Sequence, residues 1–344
     1  MSRSSRKWEH IQFALALRQG SRNDFDEMKF LPNSLPNISY GNTSLHIQLA
    51  DWELPSPILI NAMTGGSTET LQINQKLAMI AREKGLAMAV GSQMAALKNA
   101  EQEASYRVVR REHPKGIVFA NLGAEASVEQ AKRAIEMIEA NALQIHLNVM
   151  QELLMPEGDR DFTGYLHNIE RIAGGIDVPL IVKEVGFGMA QETFRQLFDA
   201  GVAIIDVGGS GGTNFARIEN KRRASPLQMF DTWGLSTVQS LLEASAWNNP
   251  RAAFIASGGV RHGLDLCKAF ALGASAVGMA GVFLALVQTR TLEQCLEEVE
   301  LLHHQIRITL TALGCERLDQ LRDRPFTLGR ELQSWADQRQ IMHG

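Results

Sequence analysis

The sequence predicts a (β/α)8 barrel, also called a TIM barrel, in which eight parallel strands close into a cylinder wrapped by helices. Apolar runs that end in glycine or polar residues recur roughly every thirty residues, the length of one strand–helix unit. Their nearly continuous apolar character is expected for strands buried on both faces. The presence of eight runs favours a closed barrel over an open doubly wound sheet. They occupy residues 57–66, 86–93, 116–123, 143–148, 179–188, 202–212, 252–260 and 274–281.

Helix signals fill the stretches between these runs. Residues 70–85 have helical periodicity and close with Gly85, which predicts a helix C-terminus. Ser127 and Gln130 have the spacing of a capping box, which predicts a helix start. Two further helices are predicted to end at Gly201 and Gly273.

The whole chain, residues 1–344, is predicted to form a single domain. Residues 1–56 are polar and contain several prolines, so we interpret them as an N-terminal extension over the barrel mouth. Residues 57–284 supply the barrel, and residues 285–344 continue as C-terminal helices. We find no linker or low-complexity tract that would indicate a second domain.

Composition and charge exclude several classes of function. Hydrophobic residues make up 45% and charged residues 21% of the chain, which is ordinary for a globular protein. A net charge of -4 without a basic stripe predicts no nucleic-acid partner. Because no stretch resembles a signal peptide or a membrane span, we expect no membrane association and a cytoplasmic location. Three scattered cysteines predict reduced thiols rather than disulfides: Cys267, Cys295 and Cys315.

Polar side chains stand at the C-terminal ends of nearly all the predicted strands. In barrel enzymes these ends build the active site. Any one such residue could be only a turn residue or a helix cap, but the convergence of the whole set indicates a pocket. The set comprises Asn61, Thr64, Ser92, Gln93, Asn121, His146, Lys183, Glu184, Asp206, Ser210, Thr213 and Ser257.

Glycine clusters follow the same strands, at residues 64–67, 208–213, 257–259 and 278–281. Glycine lets the backbone approach a ligand closely, and N–H groups at a helix start bind phosphate. The last two clusters follow the seventh and eighth strands, where barrels often bind phosphate. This pattern indicates a phosphate-bearing cofactor, most often FMN. Lys183 would then lie near the anionic part of the flavin, or would instead pair with Glu184.

The stretch HLNVMQE contains four strong hydrogen-bonding side chains at the end of the fourth predicted strand. His146 and Asn148 are two residues apart and therefore point to the same strand face, the barrel interior. Gln151 and Glu152 are expected in the following loop. Glu152 could bind Mg²⁺ together with the phosphates of a substrate, or it could be a solvated acid. Three charged residues further along are interpreted as solvated loop charges: Asp159, Arg160 and Asp161.

The N-terminal stretch RKWEHI places Arg6, Lys7 and His10 within one or two helical turns. Three donor side chains in this arrangement suit an anionic substrate. The alternative is a solvated basic helix end.

The chain resembles the type 2 isopentenyl-diphosphate Δ-isomerases, which are FMN-dependent barrel enzymes. The resemblance rests on a series of motifs taken in order: RKWEHI, NAMTGGS, GSQ, HLNVMQE, VKEVGFG, GGTNF with IEN, SGGVR and GMAG. It covers about residues 6–284, and the first and fourth motifs are specific to this family among FMN barrels. The chain departs from the family pattern at Met94, where arginine is frequent, and at Gly208 and Ser210, where serine and arginine are frequent.

The resemblance implies a role for each motif. The implied cofactors are reduced FMN, NAD(P)H as its reductant, and Mg²⁺ held by Glu152. The implied catalytic residues are Gln151, His146 and Asn148. The implied substrate contacts are Arg6, Lys7, His10 and Gln151. The implied flavin contacts are Ala62, Met63, Thr64, Ser92, Asn121, Lys183 and Thr213, with Gly258, Gly259, Ala280 and Gly281 around the phosphate.

The implied reaction interconverts isopentenyl diphosphate and dimethylallyl diphosphate by a 1,3 proton shift, with reduced flavin as the acid/base. The implied assembly is a homo-oligomer, a tetramer or an octamer. One alternative is an FMN-dependent oxidase of 2-hydroxy acids, for which Arg261 and His262 would supply the cation and the base. Another is a flavin-binding or phosphate-binding barrel without catalytic activity.

Overall fold

Eight parallel strands form a closed barrel in the structure, a computed structural model that describes residues 23–247 and 249–341. Strands β4 to β11 follow one another around the ring, which closes where β11 pairs with β4. Each barrel strand coincides with one of the predicted runs, although β7 begins one residue before its run, so the predicted TIM barrel is confirmed. The strands are β1 (Met28–Phe30), β2 (Ile47–Leu49), β3 (Trp52–Leu54), β4 (Ile58–Ile60), β5 (Ala87–Ala89), β6 (Val118–Gly123), β7 (Ala142–Leu147), β8 (Leu180–Glu184), β9 (Ile204–Asp206), β10 (Ala253–Ser257), β11 (Ala276–Met279) and β12 (Phe326–Leu328).

Helices cover the outside of this barrel and continue beyond its last strand. Helices α1 to α11 lie between or directly after the barrel strands, and α12 and α13 belong to the C-terminal part. They are α1 (Thr68–Lys84), α2 (Met94–Lys98), α3 (Ala104–Glu112), α4 (Val128–Met137), α5 (Val149–Leu154), α6 (Tyr165–Gly175), α7 (Gln191–Asp199), α8 (Phe215–Arg222), α9 (Thr237–Trp247), α10 (Gly263–Ala271), α11 (Gly281–Thr289), α12 (Leu292–Leu313) and α13 (Arg330–Gln338).

The predicted helix ends are confirmed by their capping geometry. Gly85 ends α1 with φ 64°, a left-handed conformation that glycine adopts without a steric penalty. At the start of α4, the Ser127 side chain accepts a hydrogen bond from the Gln130 N–H, and the Gln130 side chain accepts one from the Ser127 N–H. Gly201 and Gly273 follow α7 and α10 with positive φ values of 89° and 98°.

The described part of the N-terminal extension runs along the barrel. Asn23 donates a hydrogen bond to the Gly259 carbonyl, at the carboxyl end of β10. β1 pairs with β12, which ties the extension to the C-terminal part of the chain. The β2–β3 hairpin continues the extension, and the Trp52 ring packs on Phe119, near the start of β6, with ring centroids 5.6 Å apart.

One continuous apolar core fills the space between the strands and the helices, and every residue of β6 and β8 is buried. The three cysteines are free and buried, as expected for reduced thiols. Within the described ranges, none of the helices combines the length and the apolar character needed to cross a membrane.

Candidate active site

The polar residues predicted at the strand ends lie at one end of the barrel, because all eight strands are parallel. His146 on β7 is in register with Lys183 on β8, and Lys183 is in register with Asp206 on β9. Residues in register on neighbouring strands project to the same face of the sheet. Asp206 contacts Asn61, near β4, at 2.6 Å, so this face is the barrel interior.

A series of hydrogen bonds crosses the barrel interior and ends at His146. Asn61 Nδ2 donates to Asp206 Oδ2 at 2.6 Å, and Gln144 Nε2 donates to Asn61 Oδ1 at 3.3 Å. Asn121 Nδ2 donates to Gln144 Oε1 at 3.0 Å. Asn121 Oδ1 lies 2.9 Å from His146 Nδ1. We call Asn61, Gln144 and Asn121 the amide series. Sequence reasoning did not single out Gln144.

Gln151 and Glu152 lie in a helix, so the expectation that they occupy a loop is wrong. Helix α5 begins directly after Asn148, and its sequence VMQELL consists of residues that form helices readily. Its six residues are too few to show helical periodicity in the sequence. Glu152 Oε1 accepts a hydrogen bond from Asn148 Nδ2 at 2.9 Å, and Oε2 accepts one from the Asp159 N–H at 2.9 Å.

The turn after α5 holds this helix in place, so the interpretation of its charges as merely solvated is wrong for Arg160. Its guanidinium donates to the Glu152 carbonyl at 2.6 Å and to the Met155 carbonyl at 2.9 Å. These carbonyls belong to the end of α5, where the backbone acceptors lack helical partners. In the same turn, Glu157 forms an ion pair with Arg222 at 2.5 Å.

Helix α8 brings a buried carboxylate to Gln151. Gln151 Nε2 donates to Glu219 Oε1 at 3.4 Å, and Glu219 is fully buried. The Arg222 guanidinium forms an ion pair with Glu219 at 2.5 Å. The IEN motif contains Glu219, but the sequence does not reveal its contact with Gln151, because the two residues are 68 positions apart.

The Lys183 ammonium group does not pair with the Glu184 carboxylate. Lys183 Nζ donates to the Glu184 backbone carbonyl at 2.6 Å, which uses one of its three N–H donors. The Glu184 carboxylate instead accepts hydrogen bonds from the N–H groups of Gly186 and Phe187, at 2.7 and 2.5 Å. Burial raises the pKa of Glu184 to about 7, although these hydrogen bonds and the Lys183 charge act to lower it.

The loops after β10 and β11 contain the four residues predicted to lie around the FMN phosphate, which we call the phosphate cradle. Gly258 and Gly259 have φ values of 95° and 77°, and a Cβ at Gly258 would lie 1.9 Å from the Gly209 carbonyl oxygen. Ala280 occupies the N-cap position of α11 without a side-chain capping bond, and a Cβ at Gly281 would meet no atom within 4 Å. The first N–H groups of a helix, next to open space and a glycine loop, suit a phosphate.

The other proposed flavin residues lie on neighbouring strand ends. The Thr64 hydroxyl donates to Asn74 Oδ1 at 2.7 Å and is therefore turned toward α1. The Ser92 carbonyl accepts a hydrogen bond from the Tyr106 hydroxyl at 2.5 Å. Three further members of the set are partly exposed: Ala62, Met63 and Thr213.

Arg6, Lys7 and His10 lie outside the described residues, so their roles stay predictions. Between residues 23 and 341, with position 248 left aside, no three His, Cys, Asp or Glu side chains are grouped to hold a metal ion.

The residues that an oxidase would need, Arg261 and His262, have structural partners. The Arg261 guanidinium binds Asp26 at 2.6 Å and Asp265 at 2.8 Å, and these hydrogen bonds raise the pKa of Arg261. His262 Nδ1 accepts a hydrogen bond from the Asp265 N–H at 3.2 Å and so caps α10. Arg261 thus joins the N-terminal segment to α10, and His262 caps that helix.

Known structures share this fold at low sequence identity. A lactate oxidase from Pediococcus acidilactici superposes with a TM-score of 0.68 and 16% identity, covering 93% of this chain and 86% of the other. An (S)-mandelate dehydrogenase superposes with a TM-score of 0.65 and 17% identity, covering 93% and 91%. These similarities support the barrel fold alone.

Sequence relatives extend over nearly the whole chain. Residues 126–327 match the FMN-dependent dehydrogenase family. A Bacillus cytotoxicus protein named isopentenyl-diphosphate delta-isomerase is 52% identical over 99% of this chain and 98% of its own length. A protein of the same name from a Geobacillus species is 49% identical over 98% and 97%. The chain therefore belongs to the isopentenyl-diphosphate delta-isomerase family, whose barrel is of the FMN-dependent type.

Proposed function

We propose that the protein interconverts isopentenyl diphosphate and dimethylallyl diphosphate by a redox-neutral 1,3 proton shift and so supplies isoprenoid precursors. The observation that carries this proposal is the cluster of His146, Asn148, Gln151 and Glu152 at the carboxyl end of the barrel. The cluster lies on β7 and α5, in a barrel whose β10 and β11 loops suit an FMN phosphate.

An isolated alkene is a weak base and an allylic C–H is a weak acid, so the reaction requires a well-placed acid/base. Reduced FMN, when bound, supplies this acid/base chemistry at its N5 region. Lys183 stabilises the negative charge of the reduced ring with the N–H donors that Glu184 does not use. Gln151 orients the alkene end, and its amide nitrogen is held by Glu219.

His146 and Asn148 bind the diphosphate, and Arg6, Lys7 and His10 complete its binding from the N-terminal segment. Glu152 would hold Mg²⁺ when the diphosphate supplies further oxygen ligands. A carboxylate has about four lone-pair sites, and the bonds from Asn148 and Asp159 use two of them. Mg²⁺ is usually bound in this way, by one or two carboxylates plus substrate phosphates and water.

The direct test is an isomerisation assay on the purified protein with bound FMN. We expect conversion of isopentenyl diphosphate to require both a reductant and Mg²⁺, with NAD(P)H serving as the reductant. Full activity of the oxidised flavoprotein without any reductant would refute the assignment of the acid/base role to reduced flavin.

The same assay separates the isomerase from a 2-hydroxy-acid oxidase. An oxidase would consume lactate or mandelate with net reduction of the flavin. The isomerase would leave these hydroxy acids and the oxidation state of the flavin unchanged. Arg261 forms ion pairs with Asp26 and Asp265, which argues against its role as the substrate-binding cation of an oxidase. A homo-oligomeric state, a tetramer or an octamer, is a further part of the proposal, and sedimentation analysis tests it.

A further inference from the structure

We propose that the amide series Asn61, Gln144 and Asn121 consists of positioning residues that keep the proton of neutral His146 on Nδ1. Nε2 of the neutral ring then carries no hydrogen atom and acts as an acceptor. The catalytic consequence of this inference rests on the proposed role of His146 in binding the diphosphate. The position of the proton does not, because it follows from the directions of the hydrogen bonds inside the barrel.

The direction of the series is set at its Asn61 end by groups that cannot change roles. The Ala62 backbone N–H can only donate, and it lies 2.8 Å from Asn61 Oδ1. The amide nitrogen of Asn61 therefore faces Asp206, whose carboxylate can only accept, at 2.6 Å. The assignment of oxygen and nitrogen in Asn61 is thus fixed from both sides.

The orientation of Asn61 fixes the orientation of the Gln144 amide, and Gln144 in turn fixes that of Asn121. Asn61 Oδ1 accepts from Gln144, so Gln144 Nε2 points to Asn61 and Oε1 points away from it. Gln144 Oε1 accepts from Asn121 Nδ2, which leaves Asn121 Oδ1 facing His146 Nδ1 at 2.9 Å. An amide oxygen only accepts, so the hydrogen atom of this last bond must belong to His146 Nδ1.

Burial makes it costly for any one amide to reverse. Asn61, Gln144 and Asn121 are at most 2% exposed, in a position that bulky aliphatic side chains fill in most barrels. Exchanging the positions of the amide oxygen and nitrogen of Gln144 would place its N–H donors against those of Asn121. It would also place its oxygen against the amide oxygen of Asn61. Without water to compensate, such unmatched buried groups are strongly destabilising. The series therefore holds one orientation.

Glycine at position 278 leaves the space that Asn61 needs. A Cβ at Gly278 would lie 2.6 Å from Asn61 Nδ2, although the φ of this residue does not require glycine. The other end of the Asp206 carboxylate is held by the Ser257 hydroxyl and by the Gly208 N–H at 3.2 Å. These contacts keep the carboxylate in place for Asn61.

A fixed proton on Nδ1 decides what His146 can do at its other nitrogen. Nε2 accepts a hydrogen bond or a proton when the ring is neutral, and it donates to a phosphate oxygen when the ring is protonated. If the series is interrupted, the neutral ring can place its proton on either nitrogen. Asn121 can then also turn its N–H donors toward Nδ1, where a protonated ring has no lone pair to accept them. The protonated ring, which donates from Nε2 to the diphosphate, is therefore disfavoured.

The test replaces Gln144 with methionine in the FMN-bound enzyme and reads the imidazole nitrogen shifts of isotope-labelled histidine by NMR. The signal is assigned with His146→Ala and recorded at a pH where the ring is neutral. We expect a pure Nδ1–H form in the unmodified chain and a mixture of tautomers in Gln144→Met. In the isomerase assay, we expect KM for isopentenyl diphosphate to rise about tenfold, the effect of losing one hydrogen bond to a charged group, with a smaller change in kcat.

Gln93→Met is the matched control. Gln93 is also a fully buried glutamine, but its amide bonds the backbone at Ala134 and Asn121 instead of the side-chain series. We expect the His146 tautomer to be unchanged in this variant. An equal disturbance by both substitutions would overturn the proposal, because the effect would then come from general repacking.

Gly278→Ala is the second variant, and it is decisive if Gln144→Met does not fold. It retains every polar group and crowds Asn61 Nδ2 most closely, at 2.6 Å, with Ser257 Cβ next at 3.1 Å. We therefore expect it to produce the same mixture of tautomers. A pure Nδ1–H signal in this folded variant, or an Nε2–H form in the unmodified chain, would overturn the proposal. If the unmodified enzyme shows the Nδ1–H form but no isomerisation, the proposed function fails and the tautomer assignment stands.

Discussion

Glu152 is held from two directions, by Asn148 at the start of α5 and by the Asp159 N–H in the following turn. Arg160 binds the carbonyls at the end of the same helix. A carboxylate that is oriented before a metal arrives loses less conformational entropy on binding it. These contacts distinguish Glu152 from an ordinary solvated acid, which was the other interpretation of its sequence.

Glu152→Gln should raise the Mg²⁺ concentration needed for half-maximal activity while FMN stays bound. The variant keeps the size of the side chain but loses the charge that attracts the cation. We expect a change of roughly tenfold, comparable to the effect of removing a group that supports a metal ligand. Activity measured against Mg²⁺ concentration, with the flavin spectrum recorded in parallel, checks this result.

Asp161→Asn is the control for this prediction. Asp161 is an exposed acid of the same loop, and its carboxylate accepts a hydrogen bond from the Thr163 N–H. We expect it to leave the Mg²⁺ requirement unchanged. An unchanged Mg²⁺ requirement in Glu152→Gln would contradict the assignment of Glu152 as the metal ligand.

The start of α11 is the element that we assign to the FMN phosphate. Its first residue, Gly281, has open space where a side chain would begin, and the side chain of the N-cap residue Ala280 makes no capping bond. The neighbouring loop at Gly258 and Gly259 lacks such freedom, because a Cβ at Gly258 would overlap the Gly209 carbonyl. Substitutions at Gly281 therefore separate cofactor binding from folding, whereas substitutions at Gly258 do not.

Gly281→Ala should weaken FMN binding without destabilising the FMN-free protein. The added methyl group meets no protein atom within 4 Å but would stand where the phosphate approaches the helix. We expect the Kd for FMN to rise on the order of tenfold, the effect of losing one hydrogen bond to a charged group. Fluorescence titration with FMN measures the Kd, and thermal unfolding measures stability.

Gly174→Ala is matched to this variant, because Gly174 lies in α6 and also has open space at its Cβ position. We expect it to leave FMN affinity unchanged. Equal FMN affinity in Gly281→Ala and the unmodified chain would contradict the cradle assignment.

The end of β8 should make stability depend on pH through Glu184. Burial raises the pKa of Glu184 from 4.5 to about 7 on folding. The stability that this proton contributes is fully present below the unfolded pKa and is lost as pH rises through about 7. Glu184→Gln removes the titration and keeps an oxygen for the two backbone N–H groups. Relative to the unmodified chain, its free energy of unfolding should increase by on the order of 1–3 kcal/mol between about pH 5 and about pH 8.

Denaturant unfolding at a series of pH values checks this prediction. Glu192→Gln is the control, because a hydrogen bond from Arg339 lowers the pKa of Glu192, which places its titration below this range. A constant difference between Glu184→Gln and the unmodified chain across the range would contradict a raised pKa at Glu184.

At the scale of the whole molecule, the closed barrel explains which parts of the site the sequence could predict. Apolar runs mark the strands, and parallel strands carry their C-terminal residues to one end, so His146, Lys183 and Asp206 were predictable as neighbours. Contacts across the barrel leave no pattern in the neighbouring sequence. The bonds of Gln144 to Asn61 and of Gln151 to Glu219 join residues 83 and 68 positions apart, and only the folded chain reveals them.

The central claim is that the reaction uses reduced flavin without consuming its electrons. The most direct test is to reduce the FMN-bound enzyme chemically under anaerobic conditions, without NAD(P)H, and to add isopentenyl diphosphate and Mg²⁺ in deuterium oxide. We predict many turnovers to deuterium-labelled dimethylallyl diphosphate while the absorbance spectrum stays that of reduced flavin. Product formation that stops as the flavin becomes oxidised would contradict the account, because the substrate would then be a redox partner of the flavin.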